Sequence, residues 1–452
     1  MIQEAFRAYL EEAIGCENAL VAFSAFEQPA SVAVRMNPFK KCRAFEGESV
    51  PWSRWGRFLA ERPVFTLDPH FHGGAYYVQD SSSMFVGEVF RQCLESMPVP
   101  AVRPVRVLDL CAAPGGKTTD LAASLREKFG DGFVLVANEV MKQRASVLAS
   151  NVALWGDPNV VVTSDDPSAF AALEGFFDII VADVPCSGEG MFRKDESAQE
   201  QWSENNVALC EGRQRRIIAD MWPSLVEGGV LVYSTCTFNR LENDGNVQWI
   251  MKELDAEALY EGADSGYEGV IKTGLGFSLV PGFVKGEGQY CSAVRKRGAV
   301  AAPRKMKPVR TKTTALPERL KQCFSVDVVL KQRGETVIAV PSVINEDVEL
   351  LAAHLHVLSS GCAVGVVKGK DLVPDADMAL SIVLNEEAYP AVDVDRQTAL
   401  AFLHRDSIVL SDAPKGFVLI CYEGVPLGFV KNLGNRCNNL HPQGRRIRMD
   451  IL

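Results

Sequence analysis

The chain opens on "MIQEAFRAYLEEAIG", whose apolar and polar positions recur at the spacing of an amphipathic helix. "SVAVRMN" follows and reads as a strand. Further on the pattern changes to short, nearly continuous apolar runs: Val105–Leu110, Phe133–Ala137, Asp178–Ala182 and Val230–Tyr233. Such runs, separated by helix-like stretches such as Thr118–Leu125, predict buried parallel strands joined by helical crossovers. The expected fold class is α/β, with a doubly wound, Rossmann-like domain over roughly residues 101–298. An α/β appendage is expected over roughly 1–100, a linker over 299–312 and an α+β unit over 313–395 with a helical stretch at Asn345–Ser359. In the last stretch, roughly 396–452, "SIVLS", "GFVLICYEG" and "PLGFVKN" are separated by Gly, Asn and Pro turns and predict a compact β-rich tail.

In an open α/β sheet, loops beyond the carboxyl ends of the strands converge on the ligand crevice. Two of those loops carry a cysteine: Cys186 in "FFDIIVADVPCSGEG" and Cys236 in "GGVLVYSTCTF". They lie 50 residues apart in sequence, yet such loops can meet at one site. The competing reading of each thiol is simple packing. A third loop, in "VRVLDLCAAPGGKTTDLAASL", is a Pro/Gly turn at a helix start, where backbone N–H groups can approach a ligand closely. It is not a Walker loop, since Cys111 stands where that motif needs glycine, and G-x-G-x-x-G is absent. The next strand ends in Asn138–Glu139, and an acid there commonly holds ribose hydroxyls. The set suits a nucleoside without a phosphate tail, and S-adenosylmethionine fits that description.

On "CAAPGGKT", "ANE", "ADVPCSGEGMFRKD" and "GGVLVYSTCTF" the chain resembles the NOL/NOP/Sun family of RNA cytosine-5 methyltransferases, in its bacterial ribosomal-RNA branch of RsmF (YebU) type. "RMNPFK", "VPWSRWGRFL" and "YYVQDSSSM" extend the resemblance toward the N-terminus, and "GFVLICYEGVPLGFVKNLGNRCNNLHPQGRRIRM" looks like the branch's PUA-type RNA-binding tail. Two positions depart from the family pattern. Val184 stands where alanine is usual, and Gln289–Tyr290 follow Gly286–Gly288 near the usual aromatic pair.

The resemblance implies methyl transfer from S-adenosylmethionine to carbon 5 of an RNA cytosine, in small-subunit ribosomal RNA. Cys236 is then the nucleophile and Cys186 assists release of the base. Asp183 would touch the cytosine edge or the cofactor, with turn capping as its alternative. Cys111, Ala112, Ala113, Pro114, Gly115, Gly116 and Lys117 would wrap the methionine and ribose. Glu139 would hold the ribose hydroxyls, and Asp165 would meet the adenine, with Asp166 as the competing choice. Arg35, Asn37, Arg193, Lys194, Arg445 and Arg446 are the expected RNA contacts.

Composition limits this picture without changing it. The chain has 452 residues, 47% hydrophobic and 23% charged, ordinary for two to four globular domains. Net charge is −10, so RNA contact must come from local patches. One such patch runs from Arg295 to Lys312 without an acid. The 12 cysteines form no C-x-x-C pair, which fits reduced thiols in a cytoplasmic protein, and a monomer is expected. Neither a membrane span nor a metal site is expected. Three other classes remain distinct alternatives: a silent RNA-binding assembly factor, a methyltransferase for tRNA, protein or small molecules, and a nucleotide hydrolase.

Overall fold

The computed structural model describes residues 4–41, 45–98, 100, 102–298, 316–368 and 371–451. The expected basic linker over 299–312 and Arg43 lie outside them. The N-terminal appendage holds two helices, Glu4–Ile14 and Cys16–Phe26. Its antiparallel sheet comprises β1 (Val32–Met36), β2 (Gly56–Leu59) and β3 (Tyr76–Val78), in the order β2-β1-β3.

Five parallel strands form the centre of the molecule: β4 (Val105–Asp109), β5 (Phe133–Asn138), β6 (Val160–Thr163), β7 (Phe177–Asp183) and β8 (Leu225–Thr235). They are ordered β8-β7-β4-β5-β6, so the order reverses at β4, where a doubly wound sheet opens its crevice. Alternation along β4 explains why the sheet is covered on both faces. Val105 and Val107 join one apolar core with Leu121, Leu125 and Leu148 of the helices Gly116–Phe129 and Lys142–Trp155. Leu108 and the following Leu110 join the opposite core with Ile217 and Ile218 of Glu204–Met221 and Val247 of Asp244–Glu253. Beyond β8 the sheet turns antiparallel through β9 (Ala256–Ala258), β10 (Ile271–Lys272), β11 (Phe277–Leu279) and β12 (Gln289–Lys296).

The segment expected as a separate α+β unit over 313–395 is divided. β13 (Val328–Arg333) and β14 (Thr336–Pro341) belong to a second, antiparallel sheet. The helical stretch expected to reach Ser359 stops at His354, and β15 (Val357–Ser359) pairs with β6 of the central sheet. Val348 and Leu351 of that helix enter the same core as Leu108. The physical reason is edge protection: β15 occupies the backbone donors and acceptors that β6 would otherwise expose. β16 (Cys362–Lys368) and β17 (Asp371–Pro374) complete the second sheet.

The tail begins earlier than residue 396. β18 (Ala391–Asp393) runs parallel to β19 (Gly416–Tyr422), followed by β20 (Val425–Asn432) and β21 (Cys437–Asn439). "SIVLS" forms no strand. Its Ile408 and Leu410 are buried in the tail core beside the helix Arg396–His404.

Candidate active site

β7 and β8 are parallel neighbours, with Ala182 opposite Tyr233 and Asp183 opposite Ser234. Both chains leave the sheet at the same end, and this register sets their loops side by side. The Cys186 and Cys236 sulfurs lie 2.9 Å apart, and the Cys236 backbone N–H donates to the Cys186 sulfur at 3.2 Å. Both are half-buried, whereas Cys93, Cys210, Cys291, Cys362, Cys421 and Cys437 are buried. The hydrogen bond to Cys236, with burial second, pushes the Cys186 thiol well above its ordinary pKa, so it keeps its proton at neutral pH.

Asp183, at the end of β7, reaches the turn over Cys111–Lys117. Its Oδ2 lies 2.8 Å from Lys117 Nζ, and its Oδ1 accepts from Ser234 Oγ at 2.7 Å and Gln289 Nε2 at 3.3 Å. Burial alone would depress the Lys117 ammonium. The Asp183 carboxylate, with smaller help from Cys236 and Asp109, overrides it and leaves that pKa raised.

The turn over Cys111–Lys117 holds Gly115 at φ +112°, a left-handed conformation that disfavours any side chain, and a Cβ there would press on Leu148 Cδ1 at 3.2 Å. The Cys111 side chain packs against the apolar core, and burial pushes its thiol up. Asp109, just before this turn, accepts from Thr118 Oγ1 at 2.6 Å through Oδ2. Its buried Oδ1 has no partner, and its carboxyl is pushed up to about 7, first by burial. Glu139 accepts from the Met141 N–H at 3.0 Å and pairs with Arg144 at 3.1 Å, and Arg144 also reaches the Ala113 carbonyl.

Asp165 and Asp166 are separated by the structure. Asp166 accepts from the Ser168 N–H at 3.1 Å and caps a helical turn. Asp165 turns toward the approach to β15, taking the His356 N–H at 2.9 and 3.1 Å, while Asn138 clamps its backbone.

The expected RNA contacts are largely redirected. Arg35 is fully buried, donating to Gln79 at 2.8 Å and to Gly116 O at 3.0 Å. Its guanidinium also lies over Trp155, 4.8 Å from the ring centroid. Asn37 is buried too and donates to the Gly74 and Trp155 carbonyls. Arg35 ties the appendage to the start of the Gly116–Phe129 helix, and Asn37 ties it to the end of the Lys142–Trp155 helix; both side chains turn inward. Arg193 is held by Glu287 and Lys194 by Asp80 and Glu287. Arg445 is bound to Asp377 at 2.6 Å, and Arg446 is exposed. A sequence displays charge but not which way the side chain turns.

Sequence reasoning gave no role to Asp109, Asn138, Arg144 or Gln289, although Asn138 and Gln289 stand in stretches it singled out. Asp109 left a signal, as a carboxylate closing a strand that reads as buried. Among the described residues, no group of three His, Cys, Asp or Glu could hold a metal ion, and no helix is long and apolar enough to cross a membrane.

Family models match three parts of this chain. Residues 101–295 match 16S rRNA methyltransferase RsmB/F, residues 2–81 match the N-terminal domain of 16S rRNA methyltransferase RsmF, and residues 389–447 match the methyltransferase RsmF PUA domain. Ribosomal RNA small subunit methyltransferase F of Shewanella loihica is 30% identical over 92% of this chain and 89% of its own length. The chain belongs to the RsmB/F family of 16S rRNA methyltransferases. The same-named Klebsiella pneumoniae member of the family is 28% identical over 97% of this chain and 95% of its own. A solved methyltransferase homolog from Pyrococcus horikoshii is similar at 26% identity and a TM-score of 0.54, covering 65% of this chain and 95% of that one. NSun6 from the same organism, solved with SFG, shares the fold at a TM-score of 0.54 and 20% identity, over 66% of this chain and 99% of that one.

Proposed function

We propose that the protein transfers a methyl group from S-adenosylmethionine to carbon 5 of a cytosine in small-subunit ribosomal RNA, through a covalent Cys236–cytosine adduct. The observation that carries this reading is the pair of sulfurs 2.9 Å apart at adjacent strand ends, beside the Cys111–Lys117 turn. Methyl transfer to an ordinary nucleophile needs no thiol. Carbon 5 of cytosine does, because it is too weakly nucleophilic until a thiolate adds at carbon 6.

The residues present fit the cofactor. The unpartnered Asp109 Oδ1 and the Glu139 carboxylate supply acceptors for an ammonium group and ribose hydroxyls. The start of the Gly116–Phe129 helix and Lys117 suit a carboxylate. Asp165, lying between Asn138 and His356, is the acceptor assigned to adenine in this reading. When bound, the cofactor supplies an electrophilic methyl group.

The protein's own steps then follow. The Cys236 thiolate forms a bond to carbon 6, and the ring's electron pair moves to carbon 5, which takes the methyl group. Carbon 5 next releases its proton to water, the C5–C6 double bond re-forms, and the bond from carbon 6 to Cys236 breaks. Cys186, holding its proton against the Cys236 sulfur, stabilises the departing thiolate. Asp183 and Lys117 fix the wall between base and cofactor. The tail, with exposed Arg436, Arg446 and Arg448, grips RNA backbone while the target base enters the crevice. Incubation with methyl-labelled cofactor and small-subunit ribosomal RNA tests this: label on cytosine carbon 5 is expected, and label on any other atom removes the reading.

A further inference from the structure

Beneath the two thiols lies a closed polar network that the steps above do not use. Glu189 and Glu242 are fully buried, as are Gln214, Thr237 and Asn239. Taking a carboxylate out of water without a partner is costly, so every acceptor position should be filled. Here neutral N–H donors reach every carboxylate oxygen. Glu242 Oε2 accepts from the Ser187 N–H at 3.1 Å and from Gln214 Nε2 at 2.6 Å, and Gln214 Nε2 also reaches the Pro185 carbonyl at 2.9 Å. Glu242 therefore holds the chain on both sides of Cys186. Glu189 Oε2 accepts from the Phe238 and Asn239 N–H groups at 2.8 and 3.0 Å, and its Oε1 accepts from Trp202 Nε1 at 2.9 Å. It therefore holds the chain just beyond Cys236.

The grip is crossed. Glu189 belongs to the Cys186 loop and seizes the Cys236 loop; Glu242 follows the Cys236 loop and seizes the Cys186 loop. Asn239 Nδ2 joins the two carboxylates at 2.9 and 2.8 Å. The Ser187 and Thr237 hydroxyls meet at 2.9 Å, and the Gly190 N–H donates to the Cys236 carbonyl at 2.8 Å. Apolar packing could have joined these loops at lower desolvation cost. Paired directional bonds fix separation and angle, which a thiol–thiol contact requires.

We propose that Glu189 and Glu242 are positioning residues that set the geometry of the two thiols, Glu242 through the Cys186 loop and Glu189 through the Cys236 loop. Neither touches the base or the cofactor. The proposal rests on the covalent-adduct reading and divides the two half-reactions between the two carboxylates.

The test uses the full chain with methyl-labelled cofactor and ribosomal RNA, following the denaturant-resistant protein–RNA species over time. Glu242→Gln should form that species normally and resolve it at least about tenfold more slowly, whereas Glu189→Gln should form it at least about tenfold more slowly. Cofactor affinity should stay within about twofold of wild type in both. A third variant, Thr237→Val, replaces one hydroxyl by a methyl of similar shape and buries no new charge. It should slow resolution by about two- to fivefold, which keeps the proposal testable if a glutamate variant does not fold. Wild-type rates in the variants that fold overturn the proposal. So does a parallel loss of adduct formation, resolution and cofactor affinity, which marks a general packing role. If the wild-type protein labels cytosine without any adduct, the covalent reading fails and this proposal falls with it.

Discussion

The two halves of the site are built on different principles. The cysteine half is complete in itself: sulfur meets sulfur, and the loops beneath are strapped by bonds that reach every carboxylate oxygen of Glu189 and Glu242. The half proposed to hold the cofactor is left partly open. Asp109 Oδ1 lacks a partner, and the helix start after the turn has no side-chain cap. One half holds its geometry before substrate arrives; the other becomes satisfied only when a ligand brings donors. Substitutions on the two sides should therefore separate into different measurements.

The largest separation belongs to Cys236. Cys236→Ser should lower methyl transfer by at least about a thousandfold, because a hydroxyl is a far poorer nucleophile than a thiolate at neutral pH. Cofactor affinity, measured by calorimetry, should be unchanged; a matched loss of both would merge the two halves into one. Cys186→Ala comes next. It removes the group that stabilises the departing Cys236 sulfur, so the adduct should form and persist, with turnover lower by about a hundredfold. Normal turnover without accumulation would leave Cys186 as a packing residue.

Arg35→Met acts on the other half alone. The guanidinium ties the Gly116 carbonyl to Gln79 at the start of the cofactor helix. Its loss should weaken cofactor binding by about tenfold while single-turnover rates at saturating cofactor stay near wild type. A reduced saturated rate with intact affinity would contradict that placement.

The cofactor half also has a pH signature. Asp109 is pushed up to about 7 from 3.8 by burial, so between those values the folded chain holds more protons than the unfolded one. Its contribution to stability is full below about pH 4 and is lost as pH rises through about 7. Glu242, raised from 4.5 to about 7, adds in the same direction. Asp109→Asn should remove its share, flattening the wild-type decline in stability between pH 5 and 8 by about 2–3 kcal/mol in urea unfolding. An unchanged pH slope would mean that Asp109 is charged in the folded protein.

The sequence made the cysteine half unusually legible, and for a physical reason. Strands buried on both faces read as apolar runs, and parallel neighbours deliver their loops to one end, so Cys186 and Cys236 could be paired across 50 residues. The strap under them was not legible. Glu189 and Glu242 stand in loops as ordinary acids would, and only long-range contact shows that each grips the other's loop. The same holds for Arg35, whose motif was recognisable while its inward turn was not. β15 escaped notice because three residues carry no periodicity, and its pairing with β6 depends on an edge formed about 190 residues earlier.

The smallest expected effect lies outside both halves and serves to isolate them. Arg446 and Arg448 are exposed on the tail, whereas neighbouring Arg445 is spent on Asp377. If the tail grips phosphate, Arg446→Glu with Arg448→Glu should weaken RNA binding by several-fold and reduce the slope of log affinity against log salt by about two, roughly one per lost contact. Adduct formation and resolution at saturating RNA should not move, nor should cofactor affinity, since both arginines are exposed on the tail and belong to none of the three site loops. Charge reversal at Arg445 should do less to RNA and more to stability, because it places a carboxylate against Asp377. An unaltered salt slope in the double variant would make the tail a protein-contact module, and RNA would then have to be gripped by the appendage and the catalytic domain.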